Sequence, residues 1–173
     1  GRGEAFKMAF ELIDADAFIF FSPDGNEDIK DLPRFKRELS AGYELVIASR
    51  MMTGSYNEED ISWWRPRKWA NLAFNYLANL FFNKSGKYVT DSINGYRAIT
   101  WKAAKKLNLS ASDYTIEYQM TIKAFKFGLK IVEFPTREGQ RVAGASGILS
   151  LPAGLRFIRR LFSEIADGSL WRS

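Results

Sequence analysis

The stretch Ala17-Phe18-Ile19-Phe20-Phe21-Ser22-Pro23-Asp24-Gly25-Asn26-Glu27-Asp28 decides how this chain is read. Residues 17–21 form a short apolar run without a polar break, the pattern of a strand buried on both faces. Ser-Pro-Asp-Gly then stops the run, because proline and glycine set the dihedrals of a tight turn. Oxygen-bearing side chains crowd that turn, so acceptors collect at the carboxyl end of a buried strand.

Working outward, residues 4–15 place Phe6, Phe10 and Ile13 at i, i+4 and i+7, which predicts an amphipathic helix directly after Gly1-Arg2-Gly3. Downstream, residues 28–39 read as helical, and Leu45 to Ala48 as a second buried strand ending at Ser49-Arg50. Helix, strand, helix and strand in alternation, with continuously apolar strands, suggest parallel α/β organisation. In such sheets ligands bind beyond the carboxyl ends of the strands, which sets Asp24 and Arg50 on one rim.

The remaining chain continues the pattern. Residues 51–62 read as a loop containing Gly54, and 67–83 as a long helix on which Asn71, Asn75, Asn79 and Asn83 recur every fourth position, the spacing of a wetted face. Residues 96–101 and 130–134 read as strands, with a helix over 115–127 ending at Gly128. A last helix over 152–166 carries Leu155, Ile158, Phe162 and Ile165 on one side and Arg156, Arg159 and Arg160 towards the other. We expect one unit over 1–150 and an amphipathic helix and tail over 151–173. There is no internal repeat, low-complexity tract or evident linker. No stretch approaches the roughly 20 apolar residues of a bilayer span, so a soluble, cytoplasmic chain is expected. With Gly1 first and Met8 the earliest methionine, a fragment is expected too.

Composition narrows the chemistry. The 173 residues suffice for one core, and 46% hydrophobic with 26% charged is a globular balance. Cysteine and histidine are both absent, which removes thiolate metal sites and the commonest general base. Catalysis then falls to carboxylates, basic groups, hydroxyls or a hard cation. A net charge of +5 points to an anionic partner, whether phosphate, nucleic acid or an anionic lipid surface. Trp63, Trp64 and Trp69 crowd beside Arg65, Arg67 and Lys68, which leaves base stacking and membrane-interface anchoring both open.

Mg²⁺ and Mn²⁺ take one or two carboxylates and complete their shell from phosphates and water, and Asp24 is the natural ligand. The competing reading is a turn followed by the acidic first turn of a helix. Likewise, Arg50 and Arg141 could be ordinary surface residues, and Asp91 and Glu117 caps.

The turn resembles the metal-binding Asp-x-Asp segment of the family 2 glycosyltransferases, whose fold is called GT-A. Asp24 falls on the second Asp and Ser22 on the first. Asn26 falls on a position that faces the metal in members resembling dolichyl-phosphate mannose synthase. Gly1-Arg2-Gly3 is similar to the family's Gly-Lys-Gly, and Ala48-Ser49-Arg50 to its Gly-Ser-Arg strand end. Asp91-Ser92-Ile93-Asn94-Gly95-Tyr96-Arg97 resembles its acceptor-side Asp-x-x-x-Gly-Phe-Arg, and Glu117 a Glu at the start of the following helix. Glu133-Phe134-Pro135 and Arg141-Val142-Ala143-Gly144-Ala145-Ser146 are similar to its Glu-x-Pro and Arg-x-x-Gly-x-Ser, with Gly147 where the family commonly has Lys.

The resemblance implies a GT-A, Rossmann-like mixed sheet flanked by helices, lacking the family's first strand and helix. It implies a metal-dependent, inverting transfer of sugar from a nucleotide-sugar to a polyprenyl phosphate. Asp24 and Asn26 are then the expected ligands of Mg²⁺ or Mn²⁺, and Asp24, Asp91 and Glu117 the expected catalytic carboxylates. Arg50, Arg97, Arg141 and Ser146 are the expected phosphate contacts. A phosphate monoester with second pKa of about 6 is mostly dianionic at neutral pH and needs no general base, which suits a chain without histidine. The expected setting is peripheral, at the cytoplasmic face of a membrane, without nucleic acid. Two readings compete: a nucleotidyltransferase, or a basic non-catalytic module.

Overall fold

The computed structural model describes residues 1–22, 25–56, 66–84, 86–139 and 150–167. In order they form α1 (Arg2–Leu12), β1 (Ala17–Phe20), a 3₁₀ turn (Ile29–Asp31), α2 (Leu32–Ser40), β2 (Leu45–Ser49), α3 (Pro66–Phe82), β3 (Arg97–Thr100), α4 (Trp101–Leu107), α5 (Ile116–Lys126), β4 (Ile131–Pro135) and α6 (Ser150–Ala166).

The strands lie in the order β1-β3-β2-β4. β3 is antiparallel to both β1 and β2, and β4 runs parallel to β2. The sheet is mixed, as the resemblance implied: β1 and β2 run the same way, as their alternation with helices suggested, and β3 is inserted antiparallel between them. The consequence for the rim is favourable. β1, β2 and β4 end on one edge, and β3 starts there, with Arg97 paired to both Phe20 and Ile47.

Alternation along the strands makes two cores. Leu45, Ile47, Phe18 and Ile99 face a large cluster with Phe6, Phe10, Tyr118, Met120, Phe157 and Leu161, whereas Val46, Ala48 and Ala98 face Phe35, Tyr96 and Phe134. α2 covers one face of the sheet and the other helices cover the opposite one. Gly3 lets α1 enter closely, since a Cβ there would run into the Ala111 carbonyl. α4, which the sequence reading passes over, starts at Thr100, whose hydroxyl accepts from the Ala103 N–H at 3.3 Å, a local helix cap.

The asparagine stripe is not a wetted face. Asn75 and Asn79 are buried, and each acts as a second peptide group towards residues 89–92. Asn79 Nδ2 donates to the Val89 carbonyl at 2.8 Å while its Oδ1 accepts the Val89 N–H at 2.9 Å. Asn75 Nδ2 donates to the Thr90 carbonyl and its Oδ1 accepts from the Ser92 N–H at 2.8 Å. Asn83 extends the ladder to the Lys87 carbonyl at 2.7 Å. α3 thereby holds the segment that delivers Asp91.

Candidate active site

Ser49 ends β2 and Arg50 leaves it at the rim. Its guanidinium meets Asp91 edge to edge, Nε to Oδ2 at 2.8 Å and Nη2 to Oδ1 at 3.1 Å, and its backbone N–H adds a third bond at 3.1 Å. Asp91 also accepts the Asn94 N–H at 3.1 Å. Burial alone would raise the Asp91 carboxyl, but the charge and hydrogen bonds of Arg50, with Arg97 nearby, outweigh it and hold Asp91 below its ordinary value. Burial likewise opposes the Arg50 charge, and Asp91 and Glu138 more than restore it, raising its pKa.

Glu133, on β4, fixes the same segment from the other side. Its carboxylate accepts the Thr90 N–H at 2.7 Å and the Asp91 N–H at 2.9 Å. Burial nonetheless raises its pKa, these bonds offsetting only part of the cost. Asn94 Nδ2 ties the loop to the Ala48 carbonyl at 2.6 Å. Asp91 is thus presented by a loop anchored to α3, β2 and β4 at once.

Beyond β4 the chain pairs with the turn after β1. Glu138 forms a bridge with Glu27, and the Gly139 N–H donates to the Asn26 carbonyl at 2.8 Å. Glu138 joins both halves of the rim, accepting from Arg50 Nη1 at 3.2 Å and from Asn26 Nδ2 at 2.7 Å. The Asn26 residue is 5% exposed, and its Oδ1 has no hydrogen-bond partner among the described residues. A buried oxygen of this kind, beside carboxylates, fits a hard cation such as Mg²⁺ or Mn²⁺.

Among the expected site residues, Arg50, Asp91 and Asn26 come together through Glu138. Asp24, Arg141 and Ser146 lie outside the described residues, as do Trp63 and Trp64. Arg97 and Glu117 are elsewhere. Arg97 is fully buried and spends its donors beneath the loop, on the carbonyls of Asn94 at 2.7 Å, Glu117 at 2.8 Å and Ser92 at 3.1 Å, and on the Thr121 hydroxyl at 3.1 Å. Burial draws its pKa down to about 10 despite Glu117 and Asp91. The phosphate contact expected of Arg97 is corrected accordingly: its guanidinium is turned into the protein and builds the loop.

Glu117, whose backbone carbonyl Arg97 bonds, has its carboxylate buried and paired with Arg2 Nε. Burial raises its pKa in spite of Arg2 and Arg97. A side chain at Gly95 would collide with the Arg2 guanidinium, so the glycine of the Asp-to-Arg segment makes room for this pair. The reading from sequence missed Glu138 and the bonding roles of Asn75, Asn79 and Asn94. The four-residue repeat of carboxamides on an apolar helix was the available signal for two of them, because an amide can satisfy both groups of a neighbouring peptide.

No family model matches the chain. An uncharacterized protein, MJ1222, of Methanocaldococcus jannaschii is 34% identical over 122 residues, 69% of this chain and 48% of that protein. The polyprenol monophosphomannose synthase of Mycolicibacterium smegmatis is 28% identical over 159 residues, 84% of this chain and 55% of that protein. Glucosyl-3-phosphoglycerate synthase of Mycobacterium tuberculosis, crystallised with Mn²⁺ and UDP-glucose, superposes with a TM-score of 0.69 at 21% identity, over 96% of this chain and 55% of that one. That likeness establishes the fold. The chain spans about half the length of the curated relatives it matches.

Proposed function

We infer the function from a family premise, that the chain belongs to the family 2 glycosyltransferases of the dolichyl-phosphate mannose synthase type. The protein that contains it transfers a sugar from a nucleotide-sugar to a polyprenyl phosphate. The observation that carries this reading is the continuous set Asp91, Arg50, Glu138 and Asn26 on the rim where β1, β2 and β4 end. Relatives named for polyprenol and undecaprenyl phosphates support the acceptor class.

In the reaction a phosphate oxygen of the acceptor attacks the sugar C1 from the face opposite the nucleoside diphosphate. The C1–O bond to the nucleoside diphosphate breaks, its electron pair leaves on that diphosphate, and configuration inverts. Asp24 and Asn26 would hold a divalent cation, Mg²⁺ or Mn²⁺, whose charge would offset that developing on the leaving diphosphate. Asp91 keeps Arg50 aligned on the rim. Arg141 and Ser146 are assigned to phosphate by their motif positions. No base is needed for an acceptor already ionised.

The acceptor's lipid tail places the work at a membrane surface. No helix among the described residues is long and apolar enough to cross a bilayer. α3 and α6 pack on the same layer through residues such as Phe74, Phe157 and Leu161. Both also leave large apolar groups outside: Trp69 is 67% exposed, Leu155 68% and Phe162 63%. Arg156 and Arg159 are exposed on α6 too, so cations and apolar bulk stand together as they do on interfacial helices. This supports peripheral attachment, which we assign to the cytoplasmic face.

The product assay tests the reaction class. Nucleotide-sugar and polyprenyl phosphate incubated with the protein release nucleoside diphosphate and yield glycosylated lipid phosphate. Release of pyrophosphate instead points to nucleotidyl transfer.

A further inference from the structure

Half of the Asn26 carboxamide is unused. Its Nδ2 donates to Glu138 Oε1 at 2.7 Å, and its Oδ1 is buried without a hydrogen-bond partner among the described residues. The orientation is not free, because exchanging the two atoms would bring an amide oxygen against a carboxylate oxygen, two acceptors at bonding distance. Glu138 therefore fixes which face of the amide carries the oxygen.

Glu138 is itself restrained. Arg50 Nη1 holds its second oxygen at 3.2 Å, and Arg50 is locked by Asp91. The backbone around it is paired with the turn after β1, Glu138 with Glu27 and the Gly139 N–H with the Asn26 carbonyl. Among the described residues of this group two carboxylates, Asp91 and Glu138, face one guanidinium, Arg50, a balance that favours a bound cation.

We propose that Glu138 is a positioning residue for the divalent cation: it holds the Asn26 carboxamide so that Oδ1 faces the ion. It also couples that ligand to the Arg50–Asp91 pair. The inference rests on the cation-dependent reading above and adds to it a residue that does not touch the ion. Groups behind a metal ligand set its orientation and typically change metal affinity by about 10- to 100-fold when removed.

The test is to titrate the full chain with Mn²⁺ alone, counting free ion by electron paramagnetic resonance. The variants are Asn26→Leu, Glu138→Gln and Asp24→Ala, with thermal midpoints recorded for each. Both Asn26→Leu and Glu138→Gln should weaken Mn²⁺ binding about tenfold or more. In parallel, Mg²⁺ is titrated into ¹³C,¹⁵N-labelled wild-type chain while the Asn26 side-chain amide, assigned by triple-resonance spectra of that chain, is followed. Ligation through Oδ1 moves that resonance, an effect that a purely structural role for Glu138 does not produce, and the measurement stands even if a variant fails to fold. Wild-type Mn²⁺ affinity in Glu138→Gln, or an Asn26 amide unmoved at saturating Mg²⁺, overturns the proposal. If Asp24→Ala abolishes Mn²⁺ binding and Glu138→Gln does not, only this inference falls. If the wild-type chain takes up no Mn²⁺, the cation-dependent reading falls with it.

Discussion

The Arg50 guanidinium and the Asp91 carboxylate meet through two parallel bonds of 2.8 and 3.1 Å, with Asp91 fully buried and Arg50 nearly so. A bidentate pair of this kind fixes direction as well as charge. It locks the strand end of β2 to the loop before β3, and the rest of the rim is registered on it.

Replacing Asp91 by Asn should leave that guanidinium with Glu138 as its remaining carboxylate partner among the described residues. Breaking a buried pair from one side costs about 3 to 5 kcal/mol, to be read from urea unfolding at neutral pH. The sign with pH follows from the lowered Asp91 value. Its stabilisation is complete above the ordinary carboxyl pKa of 3.8 and is lost as pH falls through the lower folded value. The gap between wild type and Asp91→Asn should therefore narrow only below about pH 4. A gap that is constant down to pH 3 contradicts the assignment.

Glu117 carries the opposite sign. Its folded pKa is raised by burial, so the folded chain holds a proton that the unfolded chain has released between the ordinary value of 4.5 and the raised one. Stability then increases as pH falls through that window. Glu117→Gln should flatten this part of the stability-versus-pH curve, and an unchanged slope counts against a raised Glu117.

Asn79→Leu tests the ladder. The substitution keeps the branched shape and heavy-atom count but strands the N–H and C=O of Val89, whose bonds to Asn79 are 2.9 and 2.8 Å. Each buried group left unpaired costs about 1 to 3 kcal/mol, so urea unfolding should register a loss of several kcal/mol. A loss below about 1 kcal/mol indicates that water replaces the amide.

Phe162→Glu and Leu155→Glu probe the outer face of α6. Both side chains are exposed, so the thermal midpoint should hold while flotation with anionic liposomes falls. Raising salt should weaken flotation of the wild type as screening shortens the reach of its cations. Protein that stays in the soluble fraction at low salt removes the interfacial reading.

Much of this was legible in the sequence, for identifiable reasons. The uninterrupted runs at 17–21 and 45–48 pointed to β1 and β2; β2 is buried on both faces as expected, whereas β1 buries Phe18 but leaves Ile19 and Phe21 exposed, so burial on both faces is corrected there. The insertion of β3 between them was not legible: sheet order depends on pairing across long separations, which local periodicity does not encode. The asparagines of α3 were misread because a hydropathy stripe counts amides as polar and is blind to the peptide groups they capture. Arg97 shows the same limit, since a motif arginine looks identical whether it meets a phosphate or four internal acceptors. On α6 the stripe named from sequence, Leu155, Ile158, Phe162 and Ile165, stays exposed, and Phe157 and Leu161 do the inward packing. Glu138 escaped notice because only the fold brings it to Asn26 and Arg50.

Acceptor choice tests the central claim most directly. The protein containing this chain is assayed with one nucleotide-sugar donor against polyprenyl phosphate and against a free sugar bearing only hydroxyls, as wild type, Asp24→Ala and Glu117→Gln. Losing a contact to the metal should cost about 3 kcal/mol, two to three powers of ten in rate. Glu117 is buried and paired with Arg2 and should matter much less. The account predicts transfer to polyprenyl phosphate alone, nearly abolished by Asp24→Ala and largely kept by Glu117→Gln. Transfer to the hydroxyl sugar alone, with Glu117→Gln inactive, contradicts it.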